Sequence, residues 1–119
     1  MNKKNGLERL KSKNQIDFVF KKGKAVRSGA LIMHFFNPKE EAKKTHIGVG
    51  VSKKSILLAY RRNRIKRQIR AMILQQEKEL LCSLPPGFYM VLYKGKFSVS
   101  FKSLFQDFQG LINSFAGQG

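Results

Sequence analysis

The sequence predicts an α+β chain, with helices packed on one small sheet as a two-layer sandwich. Short apolar runs bounded by turn residues mark strands, and longer runs with apolar residues every three or four positions mark helices. Their order is helix, strands, helix, strand, helix, which lets one sheet bury one set of helices. The chain has 119 residues, 42% of them hydrophobic and 10 of them Phe, which is enough for one core in a single domain over 1–119.

Residues 1–8 read as a flexible basic arm. Between Leu10 and Phe20, the positions Ile16, Val19 and Phe20 share one side of a short helix; Asn14 is a candidate N-cap and Gly23 marks the end. Ala30–Phe36 is short and apolar and stops at Asn37-Pro38, as a strand entering a turn does. Lys39–Thr45 reads as a loop. His46–Ser52 then alternates, with Ile47, Val49 and Val51 on one face and Gly48 and Gly50 on the other, and a glycine-lined face predicts close approach by another segment.

A long helical pattern opens at Ser55 and runs to about Leu81, ahead of the Pro85-Pro86-Gly87 break. Phe88–Tyr93 is a third strand. Ser98 or Ser100 caps a last helix carrying Phe101, Leu104, Phe105, Phe108, Leu111, Ile112 and Phe115, and residues 116–119 form a flexible tail. This aromatic stripe reads as core rather than as a platform for bases, because its spacing is helical and hardly any cations accompany it.

Charge narrows the function. The 24 Lys and Arg against 7 Asp and Glu give +17 with the histidines neutral. Residues 1–70 hold 20 of the cations and 4 of the acids, so nearly all the excess sits in the part that also carries the first two strands. Solubility does not require such segregation; a polyanionic partner does. Cys82 has no second cysteine for a disulfide and cannot build a zinc site alone. No apolar run approaches the roughly 18–20 residues of a membrane span, and no signal-peptide core follows the basic start, so a reduced, cytoplasmic setting is expected.

The densest signal is Arg61-Arg62-Asn63-Arg64-Ile65-Lys66-Arg67-Gln68-Ile69-Arg70, six cations without an acid. At 100° per residue, Arg62, Asn63, Lys66, Arg67 and Arg70 cover an arc about 140° wide, and Ile65, Ile69, Met72 and Ile73 fill the neighbouring arc. Like charges this close destabilise a free helix, a cost that phosphates offset. Five of the six cations are Arg, whose planar donor fork matches phosphate oxygens. A membrane-surface helix would expose its bulky apolar residues, and a DNA-binding regulator would show a helix-turn-helix pair; neither pattern is present. Two histidines and scattered acids offer no acid–base or metal-assisted site, so hydrolysis is not assigned to the polypeptide.

Val51-Ser52-Lys53-Lys54, a short spacer, and Arg62-Asn63-Arg64-Ile65-Lys66-Arg67 with Ile69-Arg70 resemble the signature of the bacterial ribonuclease P protein subunit. Ile47-Gly48-Val49-Gly50 and Arg9-Leu10, Val19-Phe20 and Gly23 fit that family as well, and element order agrees along nearly the whole chain. The resemblance implies a four-stranded sheet with three helices, a further strand over Lys24–Ser28, and a left-handed βαβ crossover around the Arg-rich helix. It implies an RNA subunit that hydrolyses precursor tRNA with Mg²⁺ carried on the RNA, and a protein with no obligatory protein partner and no membrane partner. Carried over by position, Lys53, Lys54, Arg62, Asn63, Arg64, Lys66, Arg67 and Arg70 face the catalytic RNA. Ile16, Phe20, His34 and Phe36 line a cleft for the 5′ leader of the precursor. Ile16 stands where the family usually has Phe and His34 where an aromatic such as Tyr is common, while Ser55–Tyr60 lacks the usual Gly-Asn-Ala-Val run. The alternative within the same chemistry is a general structured-RNA-binding protein of ribosomal or chaperone-like type.

Overall fold

The computed structural model describes residues 7–10, 13–37, 44–54, 56–95 and 100–118. The arm over residues 1–6, most of the Lys39–Thr45 loop, Ser55, Ser98 and Gly119 lie outside them. The elements are β1 (Leu7–Arg9), α1 (Lys13–Lys22), β2 (Lys24–Ser28), β3 (Leu31–Phe36), β4 (Thr45–Val51), α2 (Ala59–Gln75), α3 (Glu77–Ser83), β5 (Gly87–Tyr93) and α4 (Phe101–Gln118).

One mixed sheet runs in the order β1-β4-β5-β3-β2. β4 pairs parallel with β5, Thr45 opposite Gly87 through Val51 opposite Tyr93, so the chain between them must cross over, and α2 and α3 make that crossover. β3 pairs antiparallel with β5 and β2 antiparallel with β3 through the turn at Gly29, whose φ of 57° is a left-handed conformation suited to glycine. β2 is the strand over Lys24–Ser28 that family resemblance implies.

Strand alternation sorts the two faces. Leu31, Met33 and Phe35 of β3, Tyr89, Val91 and Tyr93 of β5, and Ile47 of β4 form one core with Ile65, Ile69, Met72 and Ile73 of α2, Leu80 of α3, and Leu104, Phe108 and Leu111 of α4. The aromatic stripe of α4 is therefore core. The opposite face receives α1, which packs on β3 and β5 through the fully buried Val19. On this face Gly48 makes room for the chain at Leu10: a Cβ there would lie 3.2 Å from the Leu10 carbonyl oxygen, and the Leu10 amide donates to Ile47 at 3.1 Å. The close approach expected from the glycine face is thus made first by the Met90 side chain of β5 and then by the segment that follows β1.

Five sequence expectations are corrected. The sheet has five strands rather than four, because Leu7–Arg9, its first two residues expected in the arm, pairs parallel with Thr45–Ile47. Asn14 is inside α1 rather than its cap, since helical backbone begins at Lys13. The long helix begins at Ala59 instead of Ser55: the buried Ile56 anchors a loop whose Ile56 and Leu57 carbonyls accept hydrogen bonds from Arg62. It also divides at Gln76, which leaves helical geometry and is buried against α4, its Oε1 accepting from Gln109 Nε2 at 2.8 Å, so there are four helices rather than three. The tail expected from residue 116 is helical to Gln118. Ser100 serves as the last helix's cap, its Oγ accepting from the Ser103 amide at 3.1 Å.

The buried phenol of Tyr89 fastens β3 to the proline break. It donates to the Pro85 carbonyl at 2.6 Å and accepts from Asn37 Nδ2 at 2.8 Å. Burial pushes its pKa up to about 12, the Asn37 hydrogen bond pulling the other way.

Candidate nucleic-acid interface

The helical periodicity of α2 separates its two arcs as expected. Ile65, Ile69, Met72 and Ile73 are buried, while Arg61, Asn63, Arg64 and Arg67 are exposed and Arg62, Lys66 and Arg70 are half-buried. Residues 45–76 contain no acid, and Lys44, just before β4, pairs with Glu8 of β1 at 3.3 Å. The first turn of α2 holds no acid and Leu58 supplies no side-chain cap, so the positive end of the helix dipole adds to the charge of the Arg side chains. Lys53 and Lys54 are exposed on the turn leaving β4, where the Lys54 amide donates to Ser52 Oγ at 3.2 Å.

The eight expected cationic-face residues do not all stand alike. Arg62 turns one guanidinium nitrogen back to the Ile56 and Leu57 carbonyls, at 2.8 and 2.9 Å, and so shapes the entry to α2. Arg70 sits at the other end of the helix and lines a cleft of about 570 Å³ with Leu10, Ile16, Gly48, Leu74 and Met90. It lies where the cationic helix meets the cleft at the β4 edge, beyond the three residues that β1 covers.

The expected leader-cleft residues divide around α1. Val19 faces the sheet, and Phe18 and Phe20 flank it on opposite sides at 100° per residue. Phe20, 41% exposed, meets His34 edge-on with centroids 4.8 Å apart, and Ile16 lies one turn before it on the same side. Phe36 is instead held by Phe18, also edge-on at 4.8 Å. Phe36 is opposite Phe88 in register, and Phe88 stacks on His46 at 5.2 Å, so a partly exposed row of rings crosses β3, β5 and β4. Sequence reasoning missed Phe18, His46 and Phe88. Alternation in the strands was the available signal for the last two, since each begins its run on the face away from the core.

His34 is neutral at pH 7: burial, and then the nearby Lys94 charge, hold its pKa below the usual 6.5. Folding favours the neutral ring, so its contribution to stability is present above pH 6.5 and lost as pH falls through the folded midpoint. Proton NMR titration should show that midpoint below 6.5, with the two histidine signals assigned through His46→Gln; a midpoint at or above 6.5 would mean a solvated imidazole rather than one packed against Phe20.

Among the described residues, no three His, Cys, Asp or Glu side chains converge, and no helix is long and apolar enough to cross a membrane. The surface pairs an acid-free cationic helix with partly exposed rings on the α1 face of the sheet, chemistry suited to phosphates and unstacked bases. The cleft beside Arg70 is itself lined by Ile16 but by no ring, and carries Glu8 and Glu77.

Comparison with known proteins agrees over most of the chain. A relative in a Nitratiruptor species, the ribonuclease P protein component, is 32% identical over 108 residues, covering 90% of this chain and 91% of that one. The ribonuclease P protein component of Lactobacillus helveticus is 36% identical over 72 residues, 60% of this chain and 58% of that one. The fold is similar to the RNase P protein of Staphylococcus aureus, with a TM-score of 0.71 at 23% identity over 88% of this chain and 92% of that one. It is also similar to that of Thermotoga maritima, with a TM-score of 0.68 at 23% identity over 88% and 94%. The family described as Ribonuclease P matches residues 4–116, and this chain belongs to that family.

Proposed function

We propose that this chain clamps the catalytic RNA of ribonuclease P and holds the 5′ leader of precursor tRNA, assisting removal of the leader in the cytoplasm. The observation that carries the reading is the acid-free cationic face of α2, presented on a helix whose other face is locked into the core. Lys53, Lys54, Arg61, Asn63, Arg64, Lys66 and Arg67 contact the RNA subunit. Arg62 acts mainly by shaping the start of the helix, and Arg70 joins the RNA-facing surface to the cleft.

A single-stranded leader suits the α1 face of the sheet. Phe20 and neutral His34 offer stacking surfaces on the Ile16 side, and the Phe18–Phe36–Phe88–His46 row extends the path on the other. Hydrolysis rests with the RNA and the Mg²⁺ bound to it. The protein neutralises phosphates around that centre and adds leader contacts, so it lowers the Mg²⁺ requirement and favours precursor over mature tRNA.

Cleavage of precursor tRNA by the cognate RNA at low Mg²⁺, with and without the protein, tests this. Stimulated cleavage at the mature 5′ end is expected. RNA binding without stimulation would leave only a general RNA-binding role.

A further inference from the structure

Just before and within the first turn of α2, three large apolar side chains stand in solvent: Leu57 is 81% exposed, Leu58 48% and Tyr60 64%. Their neighbour Ile56 is buried at 4%, so the segment spends one residue on the core and presents the others outward. It is held in that arrangement. Arg62 binds the Ile56 and Leu57 carbonyls, and the Leu58 carbonyl accepts from the Arg61 and Arg62 amides at 3.1 and 3.2 Å. Exposed apolar groups clustered on a fixed frame mark an interaction surface more often than scattered ones do.

The surroundings select the occupant. Lys53 and Lys54 precede the patch, Arg61 and Arg64 follow it, and no acid occurs from residue 45 to 76. The Arg61 guanidinium lies over the Tyr60 ring, 5.9 Å from its centroid, yet the ring remains largely accessible. A flat apolar ring among unopposed cations complements a ligand that is itself flat and apolar and carries negative charge beside it. An unpaired nucleobase between its phosphates has that form, whereas a paired base hides its faces in the stack.

We propose that Tyr60, flanked by Leu57 and Leu58, is a stacking platform for an unpaired base of the bound RNA, with Arg61 and Arg64 on the adjoining phosphates. The inference rests on the reading of α2 as RNA-facing and adds recognition of single-stranded RNA to its phosphate clamp.

The intact chain is titrated with two RNA probes of equal phosphate number, a blunt fully paired duplex and a duplex that carries one bulged 2-aminopurine. Tyr60→Ala should weaken the bulged probe about fivefold to thirtyfold and abolish the quenching of its 2-aminopurine. The paired probe should change by less than about twofold with its salt slope unaltered, because no phosphate contact is removed. Tyr60→Phe should restore both affinity and quenching. The chain has no Trp, and Tyr89 and Tyr93 are fully buried, so quenching of tyrosine fluorescence in the unmodified protein reports on Tyr60.

Equal loss on both probes, or no loss on either, overturns the platform. So does a Tyr60→Ala phenotype confined to self-association in sedimentation or to binding of anionic phospholipid vesicles. Replacing Arg64 and Arg67 together by alanine separates the two readings. A reduced salt slope with an indifferent Tyr60 removes the platform alone. An unchanged slope takes the two arginines that the RNA-facing reading rests on off the phosphates, and the platform beside them falls with that reading.

Discussion

Replacing Arg64 and Arg67 together by alanine is expected to weaken RNA binding about thirtyfold and to lower the slope of log affinity against log salt by about 2. Both side chains are exposed on the face of α2 turned away from the core, and neither is paired with a described acid. Each cation seated on a phosphate releases about one condensed counterion, which sets the change in slope at about 1 per residue. At roughly 1 kcal/mol for each exposed charge-assisted contact, two contacts come to a factor of about thirty. Filter binding of the ribonuclease P RNA from 50 to about 400 mM salt measures both quantities. The circular dichroism of the variant should match that of the parent, since exposed substitutions of this kind leave stability within about 0.5 kcal/mol. An unchanged slope would take these two arginines out of the phosphate interface.

Phe108→Ala should lower stability by about 3–5 kcal/mol, a large part of the roughly 5–15 kcal/mol that holds a domain of this kind together. Phe108 is 1% exposed in the core that α4 shares with β3 and β5. Truncation removes its transfer energy and leaves a cavity that the sheet, fixed by its own hydrogen bonds, closes only in part. The melting temperature should fall by roughly 10–25 °C for a chain of this size. At a temperature where the variant is still folded, its RNA affinity and salt slope should equal those of the parent. A melt that did not move, with RNA binding lost, would make the α4 stripe a surface for bases after all.

These two predictions concern the parts of the molecule most legible in the sequence. Residues on a helix turn by 100° each, so the spacing of Ile65, Ile69, Met72 and Ile73 settles which side of α2 is buried and leaves Arg64 and Arg67 on the other. The same periodicity makes Phe108 core. The strands β3, β4 and β5 were legible for a similar reason, as compact apolar or alternating runs ended by Asn37-Pro38, Ser52 and Gly95.

β1 has no such pattern. Three residues, Leu7–Arg9, become a strand because the edge of β4 at Thr45–Ile47 is there to receive them, 38 positions along the chain. The break at Gln76 is equally silent: glutamine is a good helix former, and only its hydrogen bond with Gln109 of α4 marks the junction. Phe18 gained its place beside Phe36 from the way α1 crosses β3, a crossing angle that neither segment encodes alone.

The α+β class, the segregation of cations into the first 70 residues and the two arcs of α2 were readable from the residues alone, because composition and helical or strand periodicity are local properties. The fold alone shows that Arg62 turns back to its own loop, that Arg70 reaches the cleft, and that Phe20 meets His34 on one flank of α1 while Phe36 pairs with Phe18 on the other. Each of those depends on where a second segment lies, and that is set by pairing and packing across the whole sheet.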